Sequence, residues 1–174
     1  MDLSQFNFDN EEDELEQPHY DFKLGYGEDH PVEDFVFHPT FSYKYIDLGV
    51  TNYHFHRPEF DDDNDRKIYF EKVKKYSGMS VDDLEKQHYS EHFKLDRYPR
   101  SSSTEVKLLG ELLQGRKFKD GDAPIMGHFA LYTNEQVEGD PLKKSPRIFF
   151  FLGKKALIHI LFYDPWHEIH PKKN

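Results

Sequence analysis

The most regular apolar pattern in the chain lies near its end. RIFFFL (147–152) and ALIHILFY (156–163) are almost continuously apolar and are separated by Gly153, Lys154 and Lys155. This predicts a β-hairpin in the middle of a sheet, with both faces at least partly covered. In its second strand Leu157, His159, Leu161 and Tyr163 are expected on one face, and Ile158, Ile160 and Phe162 on the other. IMGHFALYT (125–133) predicts a further strand, with His128 on a face with Met126, Ala130 and Tyr132. Earlier, Phe35/Phe37, Phe41/Tyr43/Tyr45 and Tyr53/Phe55 alternate with other residues, a two-residue period expected of strands.

Between these stretches the period lengthens. Ile68, Tyr69, Val73 and Tyr76 recur at helical spacing over about 65–76, with lysines available for the wet face, and Ser77-Gly78 ends the run. EFDDDND (59–65) reads as a solvated acidic loop that leads into this helix, with Asp63 to Asp65 as possible caps. Ser80 to Asp83 has the form of a capping box and opens a short helix over 81–88. Residues 90–103 read as a loop. Ser102 and Glu105 then cap a third helix presenting Val106, Leu109, Leu112 and Leu113, closed by Gly115. Strands, then helices, then strands predict an α+β fold: a mostly antiparallel sheet with a C-terminal hairpin and about three helices packed on one face.

Charge divides the chain in two. Residues 1–65 hold 18 Asp/Glu and 3 Lys/Arg, a balance of −15, whereas residues 66–174 hold 15 and 20, a balance of +5, within a net charge of −10. Residues 1–34, with the like-charged block EEDELE and no sustained period, are expected to be a disordered or loosely docked acidic extension of a single domain spanning 35–174. Phe6, Phe8, Tyr20 and Phe22 are unusual in an inert solvated tail and make it a candidate binding segment. Cysteine is absent, which excludes thiolate ligands, a Cys nucleophile and disulfides, and suits a cytoplasmic protein. No apolar run approaches 18 residues, so neither a transmembrane helix nor a signal peptide is expected.

FSYKYID (41–47), YFEKVKKYSGMSVDDL (69–84), His92 and the ending RIFFFL…ILFYDPWHEIHP follow one another in an order that resembles a group of bacterial and mobile-element proteins with no established activity. The likeness spans roughly 41–171. It departs from the group's pattern at Phe150, where Gly is expected, and at His170, where Tyr is usual. It implies the architecture, and a mobile-element or defence-related setting, without an enzyme class.

The candidate chemistry is carried by histidine. Asp164, His167 and His170 are spaced by three, and DPWHEIH can be a short helix with Asp164 as cap or a type I turn; only the helix favours a shared ligand. HFH (54–56) has two-ligand spacing on a strand, but with 11 histidines in the chain such coincidences arise by chance. No metal site and no cofactor are therefore expected. There is no Gly-rich phosphate loop, GxSxG or HExxH, and DDDND lacks the Gly and Glu of a calcium loop. A lone histidine on an apolar strand face is more often a hydrogen-bonded core residue than a catalyst. If the two strands share a sheet, however, His128, His159, Arg147 and Tyr132 can converge, with His167 as an alternative acid or base.

Two functions follow. The first is a non-enzymatic interaction protein that engages a protein partner through its acidic aromatic front or its sheet surface, with Lys154 and Lys155 among the binding residues. The alternative is a toxin-like, metal-independent endoribonuclease, by analogy with RelE-type sheets, in which the RNA 2′-hydroxyl is the internal nucleophile. Basic clusters interleaved with tyrosines make RNA a possible partner, although they also suit an ordinary wet surface. Oligomeric state is left open.

Overall fold

The apolar runs at 147–164 fold as the expected hairpin, and the other strands assemble around it. The computed structural model describes residues 38–61, 64–87, 91–133 and 146–170. The strands are β1 (Thr40–Ser42), β2 (Lys94–Asp96), β3 (Ile125–Ala130), β4 (Arg147–Leu152) and β5 (Leu157–Asp164). They form one sheet in the order β1-β5-β4-β3-β2, with β1 parallel to β5 and every other pair antiparallel. Four α-helices occur among the described residues: α1 (Pro58–Asp61), α2 (Asn64–Tyr76), α3 (Val81–Lys86) and α4 (Thr104–Leu112). The fold is α+β, as the segregated pattern predicts. No helix among the described residues is long and apolar enough to cross a membrane. The acidic extension over 1–34 lies outside the described residues.

The helices divide between the two faces of the sheet, which corrects the expectation of a single helical face. On one face Phe60 of α1, Tyr69 and Tyr76 of α2 and Leu84 of α3 pack with Phe129, Ile148, Phe150, Ile158, Ile160 and Tyr163. On the other, Val106, Leu108 and Leu109 of α4 pack with Met126, Phe149, Leu161 and Phe162. The physical reason lies in β4, where Ile148 and Phe150 point one way and Phe149 points the other. With apolar residues on both faces, the strand needs cover on both sides.

A β-bulge overturns the expected side-chain alternation in β5. Phe149 pairs with Phe162 while Phe150 pairs with Ile160, so Leu161 is an extra residue opposite the β4 step. Tyr163 consequently joins Ile158 and Ile160, and Phe162 takes the α4 face. The Leu161 carbonyl accepts a hydrogen bond from the Asp47 N–H at 2.8 Å.

Two further expectations change. Of the alternating aromatics at 35–56, Phe41 is in β1, Phe35 and Phe37 lie outside the described residues, and 43–56 is a looped segment. Asp47 organises that loop. Its carboxylate accepts from the N–H groups of Gly49, Val50 and Thr51 and from the Thr51 hydroxyl, at 2.6–2.9 Å. Burial pushes the Asp47 carboxyl up, but these bonds outweigh it and hold the group below its usual range. Residues 58–61 form a turn of helix where a loop is expected, and KLD (94–96) adds an edge strand inside the expected 90–103 loop. In the core beneath α2, Glu91 accepts from Lys72 at 2.6 Å, Lys75 at 2.5 Å and the Tyr76 hydroxyl at 3.0 Å. Burial raises the Glu91 carboxyl, but the two ammonium groups dominate and hold it down to about 2.

Candidate functional site

β-pairing brings the predicted histidine and arginine to one place. Lys94 of β2 is the register partner of His128, and His128 in turn stands opposite Phe149 of β4. Arg147, two residues before Phe149, pairs with Ala130 on one side and with Asp164 on the other. Lys94, His128, Arg147 and Phe149 border a pocket of about 530 Å³ on the α4 face of the sheet.

The chain leaving β5 closes the pocket. Asp164 is fully buried, and its Oδ1 accepts from the Trp166 and Glu168 N–H groups at 3.3 and 3.0 Å while Oδ2 accepts from Ile169 N–H at 2.8 Å. DPWHEIH is therefore a turn wrapped around its own aspartate, not a helix, and Asp164 is occupied in holding it. Ile169 is buried against the α4 core and anchors the turn. His167 and His170, on either side of that anchor, both border the pocket. The His170 ring lies 5.5 Å from those of His128 and Phe149.

Two pocket histidines have left-handed backbone, His92 at φ +51° and His167 at φ +58°. Such conformations are uncommon for non-glycine residues and gather at functional sites. Glu105 faces the same pocket from the first turn of α4, and its carboxylate lies 3.5 Å from His170 Nε2 with only 5% of the side chain exposed. The helix cap is Ser103, so Glu105 is not used as the expected capping partner of Ser102.

The electrostatics are those of cations crowded into a partly desolvated space. Burial, reinforced by Arg147, His170, Lys94 and His167, pushes His128 down to about 3, so it is neutral at pH 7. Burial also pulls the Arg147 guanidinium down to about 10 against the attraction of Asp164, which leaves it charged at pH 7. A neutral imidazole, a fixed cation and flanking histidines can bind an anion and move a proton. Among the described residues, no three His, Asp or Glu side chains form a group able to hold a metal ion.

Of the predicted residues, His128, Arg147 and His167 meet in this pocket. His159 does not: it lies toward the hairpin turn, stacked on Phe151 at 4.3 Å and edge-on to Tyr45 at 5.3 Å. Tyr132 is also elsewhere, because its hydroxyl donates to Asp65 of α2, which accepts from Tyr163 as well at 2.5 Å. Lys154 and Lys155 are exposed at the hairpin tip, and Phe6, Phe8, Tyr20 and Phe22 lie outside the described residues. His92, Lys94 and Glu105 were not foreseen in the site. Glu105 carried a visible signal, as an acid at the start of an apolar helix, but capping explained it equally well. His54 and His56 have rings 6.4 Å apart in a turn, not on a strand face. No family model, no curated protein and no solved structure matches the chain, so its likeness to the mobile-element group rests on the short motifs alone.

Proposed function

We propose that the chain is a metal-independent endoribonuclease acting through the histidine pocket. One observation carries this reading: the segment leading into β2, β3, β4 and the exit turn, distant in sequence, deliver His92, His128, Arg147, His167 and His170 to one cavity, with a buried Glu105 from α4. Structural ion pairs do not require four histidines around an open cavity, whereas convergent polar groups in a cleft are the usual sign of a site.

The roles follow from position. Glu105 Oε2 lies 3.5 Å from Nε2 of His170 without yet hydrogen-bonding it, and in the substrate complex it closes on that nitrogen to orient the ring, as a carboxylate orients the base in nucleophilic triads. The opposite nitrogen, Nδ1, takes the proton from a ribose 2′-hydroxyl. The 2′-oxygen attacks phosphorus, the bond from phosphorus to the 5′-oxygen breaks, and His167 returns a proton to the departing oxygen. Arg147 and Lys94 hold the non-bridging oxygens as charge builds on them. His128, kept neutral, hydrogen-bonds without adding repulsion. The products are a 2′,3′-cyclic phosphate and a 5′-hydroxyl. The cysteine-free chain suits the cytoplasm, where such a substrate is met.

The test is incubation of the purified chain with single-stranded RNA and with DNA of the same sequence, both in excess chelator. RNA should be cut to cyclic-phosphate ends and DNA left intact, with His170→Ala losing about 10²- to 10⁴-fold in rate. Intact RNA, or equal cutting of DNA, refutes the proposal. The interaction-protein reading rests on Phe6, Phe8, Tyr20 and Phe22, outside the described residues, or on the sheet surface with Lys154 and Lys155, and the pocket gives it no particular support.

A further inference from the structure

We infer that Tyr45, Phe151 and His159, with Lys44, Lys154 and Lys155, form a base-stacking subsite for single-stranded RNA beside the cleavage pocket. The inference rests on the ribonuclease reading and extends it. The three rings form one cluster: Phe151 stacks on His159 at 4.3 Å, and Tyr45 lies 5.6 Å from Phe151 and 5.3 Å from His159. All three are partly exposed, although aromatic rings on this sheet face are otherwise buried where α4 covers it, as Phe149 and Phe162 are. Burial and nearby Lys44 hold His159 below its ordinary value, so it presents a neutral ring at pH 7.

The surroundings are cationic. Lys44 Nζ sits 5.1 Å from the Tyr45 ring centre, and Lys154 and Lys155 follow Gly153 at the hairpin tip. Among the described residues none of these three lysines is in an ion pair with a carboxylate. Gly153 keeps the His159 edge clear, since a Cβ there would come within 3.1 Å of His159 Nε2. His159 Nδ1 is buried without a hydrogen-bond partner. The tip itself is held in a costly form, with Lys155 at φ +54° and Ala156 at φ +56°. Two adjacent left-handed non-glycine residues are the kind of strain that persists where position matters.

The occupant follows from charge and distance. Rings with a lysine over one of them and two more lysines at the adjoining hairpin tip fit a strand of bases on a phosphate backbone better than an apolar peptide. Arg147 and Phe149 border the pocket, and Phe151 is the next residue on that face of β4, about 7 Å further along the strand. From Arg147 the rings lie four residues, about 13 Å, along the strand, so an RNA whose scissile phosphate lies at Arg147 has a base one or two nucleotides away within reach of them.

The experiment is fluorescence anisotropy of a labelled 2′-O-methyl hexaadenylate, which cannot be cut, against the full chain. Tyr45→Leu should weaken binding about 5- to 150-fold, Tyr45→Phe should bind like the parent, and Lys154→Ala with Lys155→Ala should weaken binding and flatten its salt dependence. Binding indifferent to Tyr45→Leu and to the double lysine variant overturns the subsite and leaves the pocket reading intact. Ring-dependent binding by a chain that does not cut RNA upholds the subsite and removes the cleavage reading. No binding by the parent overturns both.

Discussion

Replacing Asp164 by Asn tests whether the exit turn is held by one carboxylate. Asp164 accepts three backbone N–H groups, and its register partner Arg147 is a cation with 5% of its surface exposed. In the variant one oxygen remains and can keep the Oδ1 bonds. An amide N–H then faces the Ile169 N–H, so one charge-assisted bond is lost, at about 1.5–3 kcal/mol. Arg147 also loses the negative field that offsets its burial, which brings the total to roughly 3–4 kcal/mol. With a urea slope of about 1.5–2 kcal/mol/M for a domain of this size, the unfolding midpoint should fall by roughly 1.5–2.5 M. Circular dichroism in urea measures this, and the NMR signals of His167 and His170 should shift in the same variant without denaturant. A midpoint within about 0.3 M of the parent, with both histidine signals unmoved, would refute the account of the turn.

Other consequences are as specific. Glu91 is held at about 2 against an ordinary 4.5, so the unfolded chain binds the proton more readily. Its contribution should be complete above pH 5 and lost as the pH falls from 4.5 toward 2, and Glu91→Gln at pH 7 should cost about 3 kcal/mol by thermal or urea melts. His128 is held at about 3 and must charge on acid unfolding, so between pH 6.5 and 3 the parent should lose stability that His128→Asn does not lose. Gly127→Ala places a Cβ within 2.5 Å of the Phe150 ring and 2.8 Å of Leu95, and should destabilise by about 1–3 kcal/mol and loosen β2 in hydrogen exchange. Ala156→Gly relieves a left-handed alanine and should raise the urea midpoint by an amount equivalent to up to about 1 kcal/mol.

Much of this architecture was legible because local and global preferences agree. The α2 period, the Ser80 cap and the 147–164 hairpin each appear where apolar spacing puts them. The failures share a cause. β2 has three residues and no apolar alternation of its own, so only its pairing with β3 makes it a strand. The aromatics of 43–56 alternate like a strand, yet Asp47 captures the backbone that a ladder would need. At the site, residue types were readable and faces were not. His128, Arg147 and His167 border one pocket, whereas His159 and Tyr132 do not. His159 lies toward the hairpin turn, and Tyr132 follows β3 and reaches the opposite side to meet Asp65. Glu105 was legible as an acid at a helix start, but its direction depends on which neighbouring serine is the cap.

Leu161 carries one more consequence. It is the unpaired residue of β5, and beyond it Tyr163 turns toward Asp65 and Asp164 gathers the chain that holds His167 and His170. Deleting Leu161 would set Ile160 beside Phe162 in a regular ladder with the same β4 partners, Phe150 and Phe149, keeping both assignments but removing the carbonyl that accepts from the Asp47 N–H. Exchanging it for another apolar residue would change only packing. The bulge thus fastens the 43–56 loop to the sheet through one backbone carbonyl, whatever apolar side chain stands at 161. An exchange at 161 should therefore leave that fastening in place, whereas loss of the residue would free the loop from β5 at this point.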